Sequence, residues 1–436
     1  MNDDGARGGS QTHARPADRR SQILRHACSL FARQGYGATT VRQIADAAQL
    51  LSGSLYHHFP SKEAMLLDIL EEFFADALKR HRATLAATDD PIVALRGLIR
   101  GSLTVIAEDP EASIVVVGEC RRLAQTERFR WLSERTAQTS AMWRSVMEQG
   151  VRTGVLRPDL RPETTAHLVQ TGVWAMAQWY RGSGRYDPDE ASGLLVDLFV
   201  RGIAKPGAYR SRPLGPILGT AGPARPAVGI DPGGYETPRA RLARLLPDGA
   251  DARMRIGYAA GLLFAQQGYT VTTTRQIAEL AGVPVGSLAH HIGSKERLLA
   301  HMLTGFFQEL LASFDKDAAA RPAPTRRLEG LIARTVEALA GHGVASVILL
   351  NERATEDVPQ SELYRLLGAV EGVWTRALAD GMRSGEFRAD LDPAFVQRVV
   401  RTAVSTSSGA YRGLGVHDVA GLYQEIALGG IGARRA

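Results

Sequence analysis

Residues suited to holding a polyanion fall in two short stretches. In the first, Thr40 and Arg42 stand close together. Ser52, Gly53, Ser54, Tyr56, His57 and His58 follow within a run of seven, and Lys62 comes four residues later. The second repeats the pattern with Thr273 and Arg275, then Gly286, Ser287, His290 and His291, then Lys295. Hydroxyls, backbone amides and cationic side chains at helix starts suit phosphate oxygens. Small or hydrogen-bonding side chains on a short helix allow close approach to base edges. The chemistry expected of these residues is the binding of double-stranded DNA, with Thr40, Arg42, Lys62, Arg275 and Lys295 placed for phosphate.

Other chemistries lack their patterns. The adjacent pairs His57-His58 and His290-His291 invite a metal, but successive helical residues point about 100° apart, so neither pair chelates one ion from a regular helix. Cys28 and Cys120 are the only cysteines, which excludes a disulfide scaffold and a CxxC site and fits a reducing compartment. HExxH, GxSxG and GxxxxGK[ST] do not occur. No catalytic residue, metal or cofactor is expected, and the chain does not read as an enzyme.

The DNA-binding residues need elements to carry them. Ile23, Ala27, Leu30 and Phe31 repeat at helical spacing. Thr40 and Gln43 form a capping box, repeated at Thr273 and Gln276, that opens a short helix over 41–48. After a break at 49–51, Ser52 reads as the N-cap of a second short helix running to about His58, with Leu55 and Phe59 turned inward. Pro60 ends it, and Ser61 caps a long amphipathic helix with Leu66, Ile69, Leu70, Phe73 and Leu78. Two short helices after a longer one form a helix-turn-helix unit, whose second short helix enters the major groove. Further helices follow, separated near Pro110, Pro158 and Pro188. Strand-like alternation is limited to 114–117, which reads as buried helix.

The pattern occurs twice because the chain is a duplication. Of the 30 positions paired between Gln34–Glu63 and Gln267–Glu296, 18 are identical at a constant offset of 233. Trp143, Gly150, Gly154, Arg157 and Asp159 recur as Trp374, Gly381, Gly385, Arg388 and Asp390 at offset 231. Lys205–Pro238 holds seven Pro and seven Gly with no apolar period, as a linker does. The expected organisation is all-α: a disordered tail (1–16), a helix-turn-helix domain (17–63), a helical regulatory domain (64–204), a linker (205–240), a second helix-turn-helix domain (241–296) and a second regulatory domain (297–430).

TTVRQIADAA and GSLYHHFPSKEAML resemble the N-terminal signature of the TetR family of transcriptional regulators. The resemblance implies two tandem TetR-like units, each with a helical ligand-binding and dimerisation region. LSGSLYHHFPSKEAM, QGVRTGVLRPDL and WYRGSG bring the first half close to actinobacterial repressors of steroid-ring catabolism that respond to CoA thioesters. Members usually dimerise to set two recognition helices about 34–36 Å apart. The helices over 162–180 with 189–203, and over 393–411 with 416–426, resemble the family's four-helix dimer interface. They would pair within one chain as a pseudo-dimer, or between two tandem chains in a homodimer with four DNA-binding units. The second copy departs from the pattern: Ala289, Ile292 and Gly293 replace Tyr56, Phe59 and Pro60, so it lacks the recognition-helix aromatic and should read bases differently.

The effector is expected in the first regulatory domain. Trp131, Met142, Trp143, Met176 and Trp179 enrich it in large apolar groups, and Gln170, Trp174 and Gln178 fall on one helical stripe. Trp143, Gln170, Trp174 and Gln178 are the candidate pocket, for an acyl-CoA or another hydrophobic metabolite. Arg121, Arg122 and Arg181 are candidate partners for its phosphates. The second half carries Arg401, Ser405 and Gly409 on the matching stripe, so the two pockets are not equivalent. A net charge of +6 suits an acidic partner. No run approaches 18 apolar residues and the first residues form no secretory signal, so a cytoplasmic, nucleoid-associated regulator is expected, with no membrane partner. A repressor released by a small ligand fits best. The competing class is a ligand-binding or scaffolding protein whose DNA-binding units are vestigial.

Overall fold

The computed structural model describes residues 16–123, 129–202, 237–269, 271–320, 322–341, 360–405 and 414–430, and every regular element among them is helical. The first half holds α1 (Pro16–Gln34), α2 (Val41–Ala47), α3 (Ser52–Tyr56), α4 (Lys62–Ala87), α5 (Pro91–Glu108), α6 (Pro110–Leu123), α7 (Arg130–Arg152), α8 (Pro162–Ala175) and α9 (Pro188–Arg201). The second holds α10 (Pro238–Leu245), α11 (Ala252–Gln267), α12 (Thr274–Ala281), α13 (Val285–Ile292), α14 (Lys295–Ala318), α15 (Pro324–Gly341), α16 (Gln360–Ser384), α17 (Pro393–Ser405) and α18 (Val416–Gln424).

Local chemistry sets the boundaries. Pro91, Pro162, Pro188 and Pro238 stand in the first turns of their helices, where a missing N–H costs nothing. Asp90 caps α5 by accepting from the amides of Ile92 and Val93. Residues 114–117 lie in α6, with Val115 and Val116 buried.

Four boundaries differ from the sequence reading. Ser52 is the first residue of α3, not its cap. Leu51 takes the cap position without a side-chain acceptor, and the helix stops at Tyr56. α8 ends at Ala175 and tightens into a 3-10 turn over Met176–Gln178, so the expected helix to Tyr180 is cut short. α10 opens at Pro238 inside the stretch read as linker, because Thr237 supplies a cap and Leu242 finds a buried site. α18 ends at Gln424 and widens into a π turn over Glu425–Gly429.

α8 and α9 pack against α17, α18 and the π turn, and a pseudo-two-fold axis runs between them. Gly172 meets Ala403, its own counterpart in the repeat. Arg157 pairs with Asp159 at 2.5 Å and with Glu425 at 3.0 Å, and donates to the Gly430 carbonyl. Its counterpart Arg388 pairs with Asp390 at 2.8 Å and with Asp197, and donates to the Gly202 carbonyl at 3.0 Å. That pairing draws the Asp390 carboxyl down to about 2. Gly202 and Gly430 lie back to back at φ 71° and 70°. A Cβ on Gly202 would stand 2.4 Å from the Leu428 carbonyl oxygen.

The expected effect of Gly202→Ala is therefore a loss of at least about 2 kcal/mol, from a backbone region nearly closed to L-residues plus the clash. Gly421→Ala, in α18 with nothing near its would-be Cβ, should be neutral or stabilising. Denaturant melts of the two variants check the contrast.

Candidate nucleic-acid interface

Each DNA-binding unit is built on a small apolar core. In the first, Ile23, Ala27 and Phe31 of α1, Ile44 and Ala45 of α2, Leu55 of α3, and Met65, Leu66 and Leu70 of α4 are all buried around Phe59. The Thr40 amide donates to Gln43 Oε1 at 2.8 Å, and the Gln43 amide donates to Thr40 Oγ1 at 3.2 Å. Thr273 and Gln276 repeat the box at 2.9 and 3.2 Å. The turn between the short helices needs a left-handed residue, supplied by Gln49 at φ 55° in one copy and Gly282 at φ 66° in the other. Arg20 pins the end of the first unit. It donates to the His58 carbonyl at 2.7 Å, pairs with Asp68 and lies 4.1 Å over the Phe59 ring. Ile292 offers no such ring in the second unit.

The recognition face is open in both units. Thr40, Arg42, Ser52, Gly53, Tyr56 and His57 are exposed, with Ser54 and His58 half-buried. Thr273, Arg275, Gly286, His290 and His291 are exposed, with Ser287 half-buried. Leu51 is 80% and Tyr56 53% exposed, an apolar surface that calls for a partner. Arg42 lies 4.0 Å from Asp46, with 87% of its side chain exposed. A Cβ at Gly53 or Gly286 would meet nothing within 4 Å, so the fold itself does not require glycine there.

Lys62 and Lys295 are tied to backbone carbonyls. Lys62 Nζ donates to the carbonyls of Tyr36 and Thr39 at 2.7 and 2.6 Å and sits 4.3 Å over the Tyr36 ring. Lys295 does the same with Tyr269 and Thr272, both at 3.0 Å. Two carbonyls draw each ammonium inward and tie it to the turn before α2 or α12. The physical cause lies in the tertiary fold, which brings α4 or α14 under a turn some 23 residues earlier.

In the regulatory domain, α4 is the meeting place. Phe73 packs against Trp174 with ring centroids 5.4 Å apart, Phe74 against Trp131 at 6.3 Å, and His81 against Trp143 at 6.0 Å. Gln170 accepts from Ser140 at 3.1 Å, tying α8 to α7. Trp143 is fully buried and Trp174 half-buried. Gln178 leaves the stripe, because the 3-10 turn overwinds the helix before it. Arg181 donates to the carbonyls of Ala177, Gln178 and Tyr180, closing its own helix end. The side chains of Arg121 and Arg122 lie outside the described residues.

Sequence reading missed His81. Its Nε2 lies 3.1 Å from Ser102 Oγ, which itself donates to the Leu98 carbonyl, so Nε2 carries the proton. Among the described residues, Nδ1 and the Trp143 indole nitrogen are buried without hydrogen-bond partners. Burial lowers the His81 pKa to about 4. A signal was available, since the repeat has Phe314 at this position. In the second half the Ser140–Gln170 link becomes an ion pair, Glu371–Arg401, at 2.7 Å.

The arrangement has known relatives. A model described as bacterial regulatory proteins, tetR family, matches residues 23–69 and again 259–302. One described as Tetracyclin repressor-like, C-terminal domain, matches 88–203 and again 321–431. The chain belongs to the TetR family. The HTH-type transcriptional repressor KstR2 of Mycobacterium tuberculosis is 35% identical over 189 residues, 43% of this chain and 94% of that protein. KstR2 of Rhodococcus jostii is 37% identical over 188 residues, 43% of this chain and 92% of its own. Among solved structures, the ketosteroid transcriptional regulator KstR2 of M. tuberculosis shares 34% identity over 43% of this chain and 95% of its own, with TM-score 0.39. It is the first half of this TetR-family chain that resembles KstR2. No described helix is long and apolar enough to cross a membrane.

Two outcomes follow for the site. Gly53→Ala should keep or raise stability, by up to about 1 kcal/mol from helix propensity, while lowering operator affinity at least about tenfold in a binding titration, as one crowded base contact does. For His81, the folded pKa of about 4 lies below the unfolded value of 6.5, so its stabilising contribution is present above pH 6.5 and is lost as pH falls toward 4. The linkage amounts to about 2 kcal/mol between pH 7 and pH 5. His81→Phe should remove that part of the pH dependence from urea melts at the two pH values.

Proposed function

We propose that the chain is a repressor that engages operator DNA with both of its helix-turn-helix units and is released by a hydrophobic small ligand held in its first half. The observation that carries this reading is the packing of α8 on α17 and of α9 on the π turn after α18, which supports a pairing of the two halves within one chain. In this reading, Thr40, Arg42, Thr273 and Arg275 meet phosphate. Ser52, Gly53, Ser54, His57, Gly286, Ser287, His290 and His291 approach bases, and His58 supports the helix end. Tyr56 adds a contact that the second unit lacks, so the two operator arms bind unequally. Lys62 and Lys295 position the turns.

The ligand is an acyl-CoA or another hydrophobic metabolite. Trp131, Trp143 and Trp174 offer it apolar faces, and Gln170 with His81 offers hydrogen bonds. α4 carries both Met65 and Leu66 in the DNA-binding core and His81 in the regulatory core. Ser29 of α1 donates to Glu111 of α6 at 2.8 Å, a second link between the two regions. A ligand that moves α4 or α6 shifts the population away from the DNA-competent spacing.

Salt titration of operator binding tests the interface. Removing one phosphate-binding cation should make the slope of log K against log salt shallower by about 0.9. Arg42→Ala should show that change. Lys62→Ala should leave the slope alone and cost about 1–3 kcal/mol of folding stability by removing charged hydrogen bonds. An unchanged slope for Arg42→Ala, or full stability for Lys62→Ala, would reverse these assignments.

A further inference from the structure

We infer that the two halves are selective for each other, so that the dimer surface of each fits the other half and disfavours a second copy of itself. The axial arginines do not choose, because Arg157 and Arg388 meet a carboxylate and a glycine carbonyl in any pairing. Selection comes from residues beside the axis. At offset 231, Asp392, Phe395, Arg398 and Ala403 of the second half correspond to Arg161, Thr164, His167 and Gly172 of the first.

In the observed pair these differences are complementary. Asp392 receives Arg185 at 2.8 Å and the Tyr186 hydroxyl at 2.8 Å. Trp179 and Tyr186 pack edge-on against Phe395, at 6.1 and 5.3 Å. The Arg398 guanidinium lies 4.7 Å over the Trp179 ring.

Pairing like with like in the same geometry forfeits this fit. Two first halves would set Arg185 and Tyr186 against Arg161, a like charge in place of a carboxylate. Thr164 would replace the Phe395 ring, and His167 the Arg398 guanidinium. Two second halves would set Ala403 against Ala403. A Cβ built on Gly172 already stands 3.1 Å from the Ala403 Cβ, well inside ordinary carbon contact. The repeat also has Ala410 in place of Trp179. Each wrong pair thus meets an opposing element and a weaker attraction together, the combination that produces specificity. The surface over α8 and α9 is built for the second half, not for a second copy of the first.

The test uses the full chain with a specific protease site inserted between residues 205 and 236. The chain is cut after folding, unfolded, and refolded as the equimolar mixture, and its pairs are weighed by native mass spectrometry without DNA. Selective halves give one first half with one second half. Unselective halves give all three pairs in a ratio of about 1:2:1, and that result overturns the inference. A measurement on the intact chain stands beside it in case the cut halves do not refold. Gly172→Ala should lower the melting temperature, against the gain that helix propensity alone provides, and Gly172→Ala with Ala403→Gly should restore it. A Gly172→Ala chain that melts higher than the parent also overturns the inference.

Discussion

The contact between each axial arginine and the far end of the opposite half's last helix holds this molecule together. Arg157 and Glu425 are both almost fully buried. Removing Arg157 takes the guanidinium from a buried carboxylate, at about 3–5 kcal/mol, whereas without Glu425 the arginine keeps Asp159. The guanidinium also reaches the carbonyl of Gly430, and Arg388 reaches that of Gly202. These contacts require the last helices to end on glycine, since only glycine accepts the backbone angle and the close approach together. α5 packs on α9 and on α4, and α15 packs on α18 and on α14, so one helix in each half joins this frame to the helix that leads to the DNA-binding unit.

Duplication has let the two halves diverge while that frame stays. The axial pairs, the capping boxes and the half-buried lysine anchors are preserved in both. The functional surfaces differ. The first recognition helix carries Tyr56 and is pinned by Arg20 on Phe59, whereas the second lacks both aromatics. The first regulatory domain buries His81 and half-buries Trp174. The second replaces these with Phe314 and Ser405, and joins α16 to α17 with an ion pair. A chain with two unlike recognition helices and two unlike regulatory cores differs from a symmetric dimer of identical subunits in both respects.

Much of this was legible in the sequence. Capping boxes, the constant offset and the apolar spacing gave the short helices and their pairing with α4, because those signals are local. The all-α class and the family followed from the same residues. The parts that were not legible depend on contacts distant in sequence. Lys62 stands at a helix start, where a cation suits phosphate, and the two carbonyls that the fold sets under it come from 23 and 26 residues away. Gln178 shared a helical stripe only while α8 stayed regular. His81 sat in an amphipathic helix and drew no notice, since its burial comes from α5 and α7. The cross-half partners of Arg157 and Arg388 lie 268 and 191 residues away, beyond the reach of any spacing rule.

In the proposed function one chain supplies a complete two-headed DNA-binding unit. The most direct measurement is the mass of the full-length protein bound to its operator, by analytical ultracentrifugation, together with a footprint of the same complex. The account predicts one chain per operator, protecting two half-sites about one helical turn apart and unlike in sequence. Two chains on one operator, protecting four half-sites, would contradict it.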